Sequence, residues 1–137
     1  MVDALRRAHK ILDRSGLVID LHPSPSSAIV CVGHEESGIV DDSDGPRRHA
    51  AAGAALAAVV DERLFALERS LTFTFRTYSD SIEELRDYVA AHWRDGRINQ
   101  ETVDRTREAL TRTRADRIYL RERIDGTRLR PIYDRST

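Results

Sequence analysis

Residues 4–25, ALRRAHKILDRSGLVIDLHPSP, carry the most decisive pattern in the chain. Ala4, Leu5, Ala8, Ile11 and Leu12 recur at helical spacing behind Asp3, a capping residue, so a helix is expected over 3–13. Arg14-Ser15-Gly16 ends it, with Gly16 suited to the left-handed position after a helix. Leu17 to Leu21, interrupted only by Asp20, then reads as a strand buried on both faces. Pro23 and Pro25 stop that strand, because neither can donate a ladder hydrogen bond.

Outward from this unit the pattern continues as a mixture of helices and strands. Ala28–Val32 and Gly38–Asp41 are expected as short strands, joined as a hairpin by Gly33-His34-Glu35-Glu36-Ser37. Pro46, after the acidic turn 41–45, opens the longest helical segment, residues 46–69. Ala50, Gly53, Ala54, Ala57 and Ala58 give that helix a face of small side chains suited to close packing. Leu71–Tyr78 alternates Leu71, Phe73 and Phe75 with Thr72, Thr74 and Arg76, the period-2 signature of a strand. Asp80-Ser81 with Glu83 and Glu84 form a capping box for a helix over 81–93, with Ile82, Leu85, Val89, His92 and Trp93 inward. A further helix from about residue 99 to 113 has a thin apolar stripe, Val103 and Leu110, and is expected at the periphery. The tail reads as a hairpin, Ile118 to Ile124 and Thr127 to Ile132, turning at Asp125-Gly126. The expectation is a single mixed α/β (α+β) domain over residues 1–137, with helices packed on a sheet of about 4–6 strands.

Composition narrows the function classes. The 137 residues are 40% hydrophobic and 33% charged, which suits a folded domain and excludes a disordered or fibrous chain. With 22 basic and 23 acidic residues the net charge is −1, which argues against a whole-surface binder of nucleic acid or anionic membrane. A single cysteine, Cys31, excludes an internal disulfide and a multi-cysteine zinc site. No apolar run approaches a membrane span, and MVDALRRAHK lacks a signal-peptide core, so a soluble cytoplasmic protein of bacterial type is expected. Lys10 is the only lysine among the cations; coding bias accounts for that more simply than phosphate recognition by arginine.

The segment 4–25 resembles the C-terminal half of class I S-adenosylmethionine-dependent methyltransferases, in which a helix ending in a pattern like AL-RAH-L-PGG precedes the fifth strand of the sheet. Ala4, Leu5, Arg7, Ala8, His9, Leu12, Gly16, Leu17, Val18 and Asp20 match it, while Asp13-Arg14-Ser15 departs from the usual RPG. The strand 71–78, the helix 81–93 and the closing hairpin are similar to the same half in order alone. The resemblance implies a fold whose cofactor half is missing. That half needs a glycine-rich loop for close backbone approach. The seven glycines, at 16, 33, 38, 45, 53, 96 and 126, contain no G-x-G.

From this resemblance follow the functional expectations. The strand at Leu17, Val18, Ile19 and Leu21 loses one neighbour and presents an open edge, which a second copy of the chain is expected to cover. The small-residue face of helix 46–69 offers a second contact for that homodimer. The leading reading is a methyltransferase-like fragment acting as a homodimeric structural or interaction protein, with no cofactor and no activity of its own. One alternative is a subunit of a split methyltransferase, binding S-adenosylmethionine only if a partner supplies the glycine-rich loop. Another is a small-molecule binding module at Asp20 and His22, which lie two apart on a strand and so point the same way, at its carboxyl end.

Other candidates have plainer readings. His34, Glu35 and Glu36 read as a solvated turn, His9 as a packing residue, His49 as the start of the long helix and His92 as a half-buried core histidine. Cys31, between Val30 and Val32, reads as a small buried hydrophobe, with no metal or nucleophile motif beside it. The arginines of 105–130, set against Glu108, Asp116, Glu122 and Asp125, read as a solvated surface with local ion pairs. An acidic loop over 35–44 meeting those arginines across a dimer is the further expectation.

Overall fold

In a computed structural model describing residues 1–114 and 117–133, the amphipathic N-terminal stretch forms α1 (Val2–Ile11) and leads into β1 (Val18–Pro23). Asp116 lies outside the described residues. Next come β2 (Ile29–Val32), β3 (Glu35–Ile39), α2 (Gly45–Asp61), β4 (Phe65–Ser79), α3 (Ile82–His92), α4 (Gln100–Arg112) and β5 (Ile118–Pro131). The class is mixed α+β, as expected: the described residues form four helices and a five-stranded, wholly antiparallel sheet.

The last strand organises the sheet. β4 pairs with β5 along its whole length, from Phe65↔Pro131 to Ser79↔Ile118. Along the other edge of β5, β1 pairs with residues 124–129 and β2 with residues 118–121; β3 completes the sheet beyond β2. The hairpin expected at Asp125-Gly126 is therefore overturned. Asp125 is bonded into the ladder opposite both His22 and Thr72, and Gly126 opposite both Leu21 and Leu71. Pairing on two sides outcompetes a local turn. The glycine serves close packing instead: a Cβ at residue 126 would lie 3.1 Å from Leu21 Cδ2 and 3.2 Å from Leu71 Cδ1.

Two further boundaries differ from the sequence pattern. The β2–β3 hairpin turns on Gly33-His34 alone, with Gly33 at φ 59°, so Glu35 and Glu36 belong to a strand and not to a loop. β3 thus lies earlier than the expected 38–41. Helix α2 stops at Asp61 instead of residue 69. Arg63 takes the left-handed conformation at φ 57°, its N–H donates to Val60 O, and Leu64 N–H donates to Val59 O. This is the two-bond Schellman closure, made with an arginine where glycine is usual. Residues 65–69 are freed to begin β4.

Helices cover opposite faces at opposite ends of β5. α3 and α4 pack over the face bearing Ile118 and Leu120, burying Val30, Val32, Ile82, Leu85, Val89 and Val103. α4 is not peripheral. It completes its inner face with Thr106, whose hydroxyl donates to Thr102 O at 2.7 Å and shares a 2.7 Å hydrogen bond with Ser37 Oγ, and with Ala109. α1 and α2 pack over the other face, at Leu129, burying Leu5, Leu56, Val59 and Phe65. Ser81 caps α3 by accepting from Glu84 N–H at 3.0 Å, while the Glu84 carboxylate reaches back past the cap to Asp80 N–H at 3.1 Å, a capping box displaced by one residue.

Candidate functional site

β1 is not buried on both faces. Its alternation sends Asp20 and His22 to one side and Ile19 and Leu21 to the other. His22 Nδ1 lies 2.5 Å from Asp20 Oδ2, so the two residues expected to act together are joined. A nitrogen donating to this carboxylate leaves Nε2 of the neutral ring as an acceptor.

The ladder registers place this pair in a larger polar block. His22, Asp125 and Thr72 form one row across β1, β5 and β4; Asp20, Thr127 and Ser70 form the next. The Asp125 carboxylate accepts from Ser24 Oγ at 2.6 Å and Thr72 Oγ1 at 2.9 Å. The Ser24 hydroxyl above all holds its pKa below the usual aspartate value, against the cost of desolvation, with the Thr72 hydroxyl adding to it. Beyond these rows lies the apolar row of Val18, Leu129 and Leu67. Helix α2 stands beside the block and presents Gly53, Leu56, Ala57 and Val60 to it. Between helix and sheet runs an open groove of about 620 Å³. The sequence pattern misses Asp125 because Asp-Gly carries a turn signal; the Thr72 alternation is the one clue that a polar row faces this side.

The remaining candidates fall into structural roles. His9 Nε2 hydrogen-bonds Ile132 O at 2.9 Å and packs edge-on against Phe65 at 5.3 Å. His34 is exposed at the hairpin tip. His49 is half-buried on α2, and desolvation lowers its pKa. His92 is exposed and not a core residue: it stacks on Tyr88 at 4.5 Å and donates Nδ1–H to Tyr88 O, while Trp93 alone reaches the core. Cys31 is buried, with its thiol pKa pushed up by that burial. Glu35 and Glu36 pair with Arg112 and Arg121 of the same chain, so these acidic residues meet the arginines within one copy. Among the described residues no three His, Cys, Asp or Glu side chains cluster as metal ligands, and no helix is long and apolar enough to cross a membrane.

No protein-family model, curated protein or solved structure gives a significant match to this chain.

Proposed function

We propose that the chain is a methyltransferase-like C-terminal half that self-associates through its sheet and acts as a structural or interaction protein, without a cofactor site of its own. The observation that carries this reading is a bare apolar sheet face. On the side of the sheet away from α1 and α2, Ile19 is 60% exposed, Leu21 60%, Leu71 44%, Phe73 38% and Phe75 51%. Leu21 and Leu71 flank Gly126, with Ile19 and Phe73 on the rows to either side and Phe75 one row further, opposite Glu122. At roughly 200 Å² per fully exposed large side chain, they amount to about 500 Å² of apolar surface per copy. Two copies reach about 1,000 Å² in total, the lower bound for a specific interface.

The charges at the two ends of this face complement one another. Arg69 shares the row at one end with Arg128, which also pairs with Glu68 of its own chain at 2.8 Å; Glu122, opposite Phe75, stands at the other. Glu122 is half-buried, makes no ion pair with another described residue, and burial pushes its pKa up. A two-fold axis lying in the interface across the strands, near residue 125, lays the arginine row of each copy over Glu122 of the other. The resemblance adds support. α1 runs directly into β1, and β1 is paired by β5 on one edge only, with its other rim open among the described residues. That open rim also favours the second reading, a split methyltransferase whose missing half docks there.

Light scattering over ~1–100 µM tests the proposal. A concentration-dependent dimer is expected, with no heat on titrating S-adenosylmethionine into the chain alone. A monomer throughout overturns self-association. Co-purification of a chain bearing a glycine-rich loop, with methyl transfer by the pair, replaces it with the second reading.

A further inference from the structure

The groove on the opposite face has a chemistry of its own. Its polar floor offers acceptors and negative charge. Asp125 is held ionised, and its second carboxylate oxygen has no hydrogen-bond partner among the described residues. The Ser24 and Thr72 hydroxyls spend their protons on Asp125, and His22 spends its Nδ1–H on Asp20. Asp61 stands at the rim, and among the described residues neither lysine nor arginine lines the groove. An anion entering here meets the carboxylates of Asp125 and Asp61, and the nearby Arg123 guanidinium acts on Asp125 from outside the groove lining. The walls, by contrast, are apolar: Leu56, Ala57 and Val60 from α2, Leu67 and Leu129 from the sheet. Opposite the floor, a Cβ at Gly53 would meet nothing within 4 Å. The volume falls in the range of pockets that hold a small ligand, about 300–1,000 Å³.

We infer that this groove binds a small organic cation, a protonated amine carried on an apolar body. The ammonium group donates to the free oxygen of the Asp125 carboxylate, and the apolar body lies along Leu56, Val60, Leu67 and Leu129. Charge-assisted donation to a carboxylate inside an apolar wall supplies selectivity for the amine over an alcohol of equal size. This inference goes beyond the self-association reading. It uses the other face of the sheet, so either one stands if the other fails.

The test is amide NMR of the full chain at neutral pH, titrated separately with hexylamine, hexanol and hexanoate. Hexylamine is expected to shift Gly53, Thr72 and Thr127 saturably below ~10 mM, to bind at least about tenfold more tightly than hexanol, and to be unmatched by hexanoate. Asp125→Asn keeps the acceptor for Ser24 and Thr72. It is expected to abolish the preference for hexylamine while leaving hexanol binding unchanged. Gly53→Leu fills the groove and is expected to remove both. Equal binding of the three probes, saturable binding of hexanoate, shifts centred on Leu21 and Phe73, or no saturable shift with hexylamine each overturn the inference.

Discussion

Replacing Phe75 by serine probes the bare sheet face at its more exposed phenylalanine. Phe75 is 51% exposed, so about 100 Å² of ring surface per copy is still in water. A face-to-face dimer removes that area twice, about 200 Å². At ~25 cal/mol per Å² the upper bound is about 5 kcal/mol. Ordering of side chains and incomplete burial at the rim cut this to an expected 2–3 kcal/mol, a rise of roughly 30–150-fold in the dimer dissociation constant. Sedimentation velocity across a concentration series reads the change directly, and circular dichroism confirms that the variant is folded. Thr74→Ala, one residue away on the other side of β4, is the control and leaves association untouched. A folded Phe75→Ser variant with an unchanged dissociation constant would refute the assignment of this face as the interface.

Glu122→Gln separates the monomer from the dimer. Because burial raises the Glu122 pKa, the folded chain holds this proton more tightly than the unfolded chain. Its contribution to stability therefore falls as pH rises from the ordinary glutamate value through the raised one. Urea unfolding at stepped pH should show that fall in the wild type and not in Glu122→Gln, while sedimentation shows the variant dimerising more weakly for want of its arginine partners. Arg63→Gly relieves a left-handed arginine and is expected to raise stability by about 0.5–1 kcal/mol, read as a shift in the urea midpoint; a loss would contradict the helix closure described. Thr106→Val and Ser37→Ala each break the hydrogen bond beneath α4 and should cost about 1–2 kcal/mol in urea unfolding. Their double variant should cost less than the sum by at least about 0.5 kcal/mol, and strict additivity would deny the coupling.

Where local chemistry decides the structure, the sequence is readable. α1 follows from its apolar spacing, α3 from Ser81 and Glu84, and the pairing of Asp20 with His22 from the two-residue repeat of a strand. The misreadings arise where distant partners override a local signal. Asp125-Gly126 is a strong turn dipeptide, yet β1 and β4, remote in the chain, bond it into a straight strand from both sides. The end of α2 is hidden because the residue that reverses the chain is Arg63, without the usual glycine. α4 looks weakly amphipathic because Thr102 and Thr106, counted as polar, are buried with their hydroxyls bonded inside. The groove is invisible for the first of these reasons: its floor takes one row from three strands, and nothing local brings Thr72 beside Asp125.

The dependence of three strands on one has a consequence for biosynthesis. β1, β2 and β4 all take ladder bonds from β5, which follows every one of them in the chain. A nascent polypeptide that has not reached residue 118 holds its helices and the β2–β3 hairpin, but β1 and β4 have no strand to anneal to and the other edge of β2 stays open. Loop closure over such long separations is slow, and intermediates of this kind recruit holdase chaperones or aggregate. Ribosomes stalled inside α4 should therefore display protease-sensitive chains, and protection should arrive in a single step once β5 clears the exit tunnel.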